Sequence, residues 1–319
     1  MDPEVFLKVE DLNVALNDNL ILKDIDLKVY KSEILSFVGV SGSGKTTLLM
    51  TLLGLIKPVG GDIFFAHKTK KGTVFKSIFD HLDYFRSHVG FSTQESSFYR
   101  KLSIQENLEF FGSMYSLPYD VLKQRIAILL DLFELKNHRD KIAEELSGGM
   151  KKRLDLAISL IHNPLILILD EPTAELDPVL RKEMWYFIKK INERGKTILL
   201  SSHFINDMES LADRIAVLSD NQIALIGTPS EIRDGMGLSD QVVIETTPGN
   251  YDNLLKIFYN HKKIGLRNHK ISMNHLTLLV NDSHSALVEI IKILENSSEK
   301  IINLELRKPP LEELFEMLP

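Results

Sequence analysis

Val5, Leu7 and Val9 fall at every second position, the period of a half-buried strand. Leu20-Ile21-Leu22 and then Ile25, Leu27 and Val29 continue in that style. They are separated by short polar breaks. Ile34-Leu35-Ser36-Phe37-Val38 is different, a short continuous apolar run that suits a strand buried on both faces of a parallel sheet. A glycine-rich loop follows. Then comes a predicted helix from Thr46 to Leu55, stopped by Lys57-Pro58 and Gly60-Gly61. Residues 100–162 read as a helical region. Ser103 and Glu106 have capping-box spacing, and Leu122, Ile126, Leu129, Leu130 and Phe133 share one helix face. A helix after Ser147 is predicted to end at Asn163-Pro164. Three more buried strands are expected, at Leu165–Leu169, Thr197–Leu200 and Arg214–Leu218. Strands alternating with helices predict an α/β fold around a parallel sheet.

The pattern changes near Gly227-Thr228-Pro229, and Asp234–Gln241 reads as a linker. Beyond it the expected order is strand 242–246, helix 250–261, strands 263–267 and 276–280, helix 284–296 and strand 301–306. That β-α-β-β-α-β order is the split βαβ arrangement of a small α+β domain. Leu311, Leu314, Phe315 and Leu318 form a last amphipathic segment. The expected domains are therefore 1–232 and 241–319, which suits a chain of 319 residues.

Composition narrows the function classes. Hydrophobic residues at 44% and charged residues at 26% are ordinary globular usage, not that of a disordered or fibrous chain. A net charge of −6 argues against binding to a nucleic-acid backbone. The absence of cysteine excludes disulfides, thiolate metal sites and cysteine nucleophiles. No run reaches the length of a membrane span. The first ten residues have neither the basic nor the apolar region of a signal peptide, so the expectation is a soluble protein, one that something else would have to hold if it works at a membrane.

Gly39-Val40-Ser41-Gly42-Ser43-Gly44-Lys45-Thr46 matches G-x-x-x-x-G-K-[ST], after a buried strand and at the start of a helix. In that context, backbone N–H groups curl around a phosphate and the helix N-terminus adds partial positive charge. Lys45 can reach the β- and γ-phosphates, and the Thr46 hydroxyl can hold Mg²⁺. Asp170 and Glu171 end another buried strand, at the sheet edge where ligands bind. Asp170 can hold Mg²⁺ through water, and Glu171 can orient or deprotonate an attacking water. Together these elements predict a P-loop NTPase. Leu146-Ser147-Gly148-Gly149 opens a helix and offers a second anion-binding N-terminus; on its own it is equally an ordinary N-cap and turn. His203 follows a further buried strand, a place where a histidine by itself is more often a core residue.

Taken together, this set resembles the nucleotide-binding subunit of an ABC transporter, over roughly residues 4–230. Gly39, Val40, Ser41, Gly42, Ser43, Gly44, Lys45, Thr46 and Thr47 resemble the Walker A loop, and Gln94 the Q-loop. Ser147, Gly148 and Gly149 resemble the family signature, Asp170-Glu171 the Walker B pair with its catalytic glutamate, Asp177 the D-loop aspartate and His203 the switch histidine. The resemblance implies the ABC-ATPase fold with a helical signature subdomain. It implies ATP and Mg²⁺ as ligands, with Thr46, Gln94 and Asp170 at the metal and Glu171, His203, Lys45 and Gln94 in catalysis. It also implies a head-to-tail homodimer or heterodimer. ATP then lies between the phosphate loop of one subunit and the Ser147 helix of the other, on the cytoplasmic face of a membrane beside a separate multi-span permease. The tail from Leu304 to Phe315 resembles the Pro-x-Leu-Glu-x-x-Phe ending of drug, sodium and polysaccharide exporter ATPases.

Three features depart from the family pattern. The place of an adenine-stacking aromatic is taken by Leu16, with Phe6 as a spatial alternative. Met150 follows the signature glycines, and residues 66–86 read as a long, basic surface insert. The alternative function is a soluble ATPase of the same family, acting on ribosomes, DNA or cluster assembly. One phosphate loop, one signature and no heptad run between Gln94 and Ser147 speak against it.

Overall fold

The computed structural model describes residues 4–70, 72–235, 241–272, 275–307 and 311, and it divides between Pro229 and Ser230 into two units. The first unit opens with the long strands β1 (Val5–Leu16) and β2 (Asn19–Tyr30), followed by β3 (Ile34–Val38) and α1 (Lys45–Leu52). A hairpin of β4 (Gly60–Thr69) and β5 (Gly72–Ser77), a short α2 (Leu82–Arg86) and β6 (Val89–Ser92) lead to the helical region of α3 (Ile104–Met114), α4 (Tyr119–Leu132) and α5 (Gly148–Ser159). The chain then returns through β7 (Ile166–Leu169), α6 (Pro178–Glu193), β8 (Thr197–Ser202), α7 (Ile205–Leu211), β9 (Arg214–Ser219) and β10 (Gln222–Gly227).

Two sheets result. The antiparallel one has the order β2-β1-β4-β5; the other has the order β10-β9-β3-β8-β7-β6 and is parallel except for β10. All residues of β3, β7 and β8 are buried, as continuous apolar runs require of central strands. Their register fixes the site. Val38 pairs with Ser202, Leu169 with Leu200, and Ser92 with Leu169. The carboxyl ends of β3, β6, β7 and β8 thus reach one edge together. Asp170 N–H donates to Ser92 O at 2.9 Å, which ties that edge across β6 and β7.

Local sequence explains the helix starts. Ser103 and Glu106 form the expected capping box on α3. The face of Leu122, Ile126, Leu129, Leu130 and Phe133 is buried. Several expectations shift. Leu165 lies outside β7 and is half exposed, because the strand begins at Ile166. The helix α5 stops at Ser159, four residues before Asn163, and α1 stops at Leu52. Residues 66–86 are not a loose insert: they complete β4, form β5 and α2, and bury Ile78 and Phe85.

The second unit contains most of α8 (Pro229–Gly235), then β11 (Gln241–Thr247), α9 (Tyr251–Asn260), β12 (Leu266–Ser272), β13 (His275–Val280), α10 (Ser283–Glu295) and β14 (Lys300–Arg307). Its sheet order is β12-β13-β11-β14, with every pair antiparallel. Leu254, Leu255 and Phe258 of α9 and Ala286, Ile290 and Leu294 of α10 bury against Val242, Ile244, Leu276 and Leu278. This is the split βαβ order. The strand expected at 263–267 instead starts at Leu266. Residues 236–240 of the expected linker, and the tail beyond Arg307 apart from Leu311, lie outside the described residues.

Candidate active site

Between β3 and α1 the chain turns through Gly42 at φ +86° and Gly44 at φ +97°, a left-handed backbone that a side chain disfavours. Gly44 is the N-cap of α1, and a Cβ there would lie 2.8 Å from Leu22 Cδ2. Gly39 is equally confined, with Leu218 O at 2.5 Å from a hypothetical Cβ. Val40, Ser41 and Gly42 are exposed, and Thr47 is half-buried on α1. Ser43 Oγ is buried without a hydrogen-bond partner, an orphaned donor inside the loop. Lys45 is only 8% exposed. Its ammonium donates to Gly39 O at 2.8 Å and Val40 O at 3.1 Å. Burial pushes its pKa below the ordinary lysine value, and the nearby charges of Glu171 and Asp170 oppose that shift. An orphaned hydroxyl, a cation and a helix N-terminus converge here, and the donors suit phosphate oxygens.

Beside the loop, Thr46 Oγ1 donates to Asp170 Oδ1 at 3.1 Å. Both are hard oxygen donors, the chemistry that holds Mg²⁺ when phosphates and waters supply the remaining ligands. Among the described residues no three His, Cys, Asp or Glu groups gather as a metal cage. The next residue, Glu171, has φ +48°. A non-glycine residue in that region costs about 1–3 kcal/mol and must be held there. Ser201 holds it. Its hydroxyl accepts the Glu171 N–H at 2.8 Å and donates to Asp170 Oδ1 at 2.6 Å. Glu171 Oε2 in turn lies 2.8 Å from His203 Nδ1. An ionised carboxylate only accepts, so Nδ1 is the donor and Nε2 is left for another partner.

Sequence reasoning missed Ser201. The available signal was a hydroxyl at the end of a fully buried strand, where a polar group needs a partner. Ser201→Ala would leave the Glu171 N–H unsatisfied and remove a donor from the buried Asp170. It is expected to lower stability by about 1–3 kcal/mol in urea unfolding and to slow ATP turnover.

The remaining predicted residues form a second group. Ser147 caps α5, its Oγ accepting from Met150 N–H at 3.4 Å. Gly148 is exposed, whereas Gly149 is buried, with Leu180 Cδ2 at 3.0 Å from a hypothetical Cβ. Asp177 caps α6 through Val179 N–H at 2.9 Å and Leu180 N–H at 3.0 Å. Gln94 is exposed just beyond β6. With Gly148 and Ala174–Leu176 it lines a cleft of about 560 Å³. Lys45, Thr46, Asp170, Glu171 and His203 thus gather at one edge, while Ser147 and Asp177 use their side chains to cap their own helices. Leu16 ends β1 and is 39% exposed. Phe6 is no substitute for an adenine platform, because it is buried in the core of the first unit.

Known proteins are similar to this chain over most of its length. The ABC transporter family model matches residues 22–174. The chain is 30% identical over 314 residues to the linearmycin resistance ATP-binding protein LnrL of Bacillus subtilis (strain 168), covering 97% of this chain and 96% of the relative. It is 33% identical over 228 residues to the Nod factor export ATP-binding protein I of Cupriavidus pinatubonensis (strain JMP 134 / LMG 1197), covering 72% of this chain and 68% of that protein. The solved structure of cbiO1 from Clostridium perfringens, part of the ABC transporter complex cbiONQ, matches with a TM-score of 0.64 and 29% identity over 73% of this chain and 92% of that one. With a phosphate loop, an acidic strand end and a helical insertion of the same order, the chain belongs to the family of ABC transporter ATP-binding proteins.

Proposed function

We propose that this chain is the ATP-hydrolysing subunit of an exporter, which dimerises around two ATP and drives a separate multi-span permease. The observation that carries the reading is the gathering of Lys45, Thr46–Asp170 and Glu171–His203 at one sheet edge, while Ser147 caps the start of a different helix, α5. The chain up to about residue 232 acts as the ATPase domain, and 241–319 as an accessory domain. In this reading Gly39–Thr47 wrap the phosphates and Lys45 neutralises the β- and γ-oxygens. Thr46, Asp170 and Gln94 hold Mg²⁺, which when bound offsets phosphate charge. Glu171 orients and deprotonates the attacking water, and His203 steadies that carboxylate through Nδ1. Ser147, Gly148 and Gly149 of a second subunit meet the γ-phosphate, and Asp177 lies at the same seam. ATP therefore favours the closed dimer and hydrolysis releases it, a population shift driven by differential binding.

The export direction is supported by the relatives named for linearmycin resistance and Nod factor export. Among the described residues no helix is long and apolar enough to cross a membrane. In this reading a permease supplies the path and holds the chain at the cytoplasmic face. The test is purification of the tagged chain from detergent-solubilised membranes of its own cell. A stoichiometric multi-span protein is expected to co-purify. Recovery with ribosomes or nucleic acid instead would overturn the transporter role and favour the soluble ATPase.

A further inference from the structure

The helix that begins at Ser147 grips the Gln94 loop at two points, one turn apart. Lys152 Nζ donates to the Gln94 carbonyl at 2.5 Å. Asp155 Oδ1 accepts the Ser97 N–H at 3.0 Å and the Ser97 hydroxyl at 3.4 Å. Asp155 is 2% exposed, and its Oδ2 is buried without a partner. Burial pushes its carboxyl up to about 6, against the downward pull of the Ser97 N–H and the Lys152 charge. A carboxylate there is an expensive choice for a helix core position, since half of its acceptor capacity is wasted. Its one effective contact is with the loop. No other buried acid in the helical region joins two elements in this way among the described residues.

We propose that Lys152 and Asp155 are positioning residues that fasten the Gln94–Ser97 loop to α5, so that the Ser147 helix N-terminus and Gln94 move as one body. The functional half of this inference rests on the reading above, that Gln94 and Ser147 both serve the nucleotide. The contact itself does not. When the closing dimer displaces α5, two anchors carry the Gln94 backbone with it. The metal side of one site is thereby linked to the signature end of the same subunit. The anchors bond to the Gln94 loop and not to the Lys45 loop, so their loss is expected to affect how often the Gln94 loop is in place rather than how ATP binds to the Lys45 loop.

The experiment is hydrogen–deuterium exchange on the full chain with an ATPase assay on the same samples. Asp155→Asn keeps an acceptor for the Ser97 N–H, and loop protection over residues 94–99 is expected to stay within about two-fold of wild type. Asp155→Leu removes the acceptor at similar volume and is expected to speed exchange there by about ten-fold. In that variant kcat falls while KM for ATP holds within about two-fold, and Asn restores kcat. Lys152→Met, at a half-buried position, is expected to move loop exchange in the same direction. Wild-type loop exchange in Asp155→Leu overturns the proposal. If Asp155→Leu instead exchanges faster everywhere, it has unfolded, and wild-type loop exchange in Lys152→Met overturns the proposal in its place. An inactive wild-type chain would sink the functional reading alone, because loop exchange still decides the clamp.

Discussion

Lys45→Ala is expected to lower kcat/KM for ATP by about a thousand-fold, with most of the loss in binding. The ammonium is buried and touches only loop carbonyls, so a phosphate would meet a cation already stripped of most of its water. Interactions of this kind gain strength in a low dielectric. Burial pulls its pKa below the ordinary lysine value, and the Glu171 and Asp170 charges oppose that shift. Calorimetry with ATP checks the outcome. The substitution leaves Gly42 and Gly44 in place but removes the ammonium's hydrogen bonds to Gly39 O and Val40 O. ATP affinity within a few-fold of wild type would show that the nucleotide is held elsewhere.

Glu171→Gln is expected to reduce turnover by about a thousand-fold while ATP binding persists. Glutamine keeps the shape of the side chain and can still meet His203 Nδ1, but it has no carboxylate to take a proton from water. The backbone at φ +48° is held by the Ser201 hydroxyl, which the substitution does not touch. The folded structure therefore stays, and the loss falls on the chemical step. Single-turnover assays distinguish this from slow product release. Near-wild-type turnover would remove Glu171 from the role of base.

The phosphate loop was legible because its chemistry is local. Six glycine or hydroxyl positions and one lysine lie within eight residues, and the apolar run before them identifies the strand. Asp170 was legible for the same reason, at the end of Leu165–Leu169. Ser201 was not, since its partners lie 30 and 31 residues away and nothing near it in sequence marks the contact. Asp155 was hidden too: a charged residue in an amphipathic helix reads as solvated, and only the fold turns it against Ser97. Strand β12 was misplaced because Leu266–Ser272 has no regular apolar alternation, being an edge strand with an open face. The β4–β5 hairpin was missed because β5 is exposed along most of its length and shows no buried side to a pattern reading. The capping box of α3 and the four-helix-turn face of α4 were legible because each is written in residues three and four apart.

In the proposed dimer ATP is held between two copies of this site, one supplying Lys45 and the other Ser147. Sedimentation velocity of the Glu171→Gln chain, with and without ATP and Mg²⁺, tests it most directly. One chain per particle is expected without nucleotide and two chains with ATP. Ser147→Glu, which sets a negative charge against the γ-phosphate, is expected to return the species to one chain while ATP still binds. A single-chain species in saturating ATP, or a two-chain species indifferent to ATP and to Ser147→Glu, would contradict it.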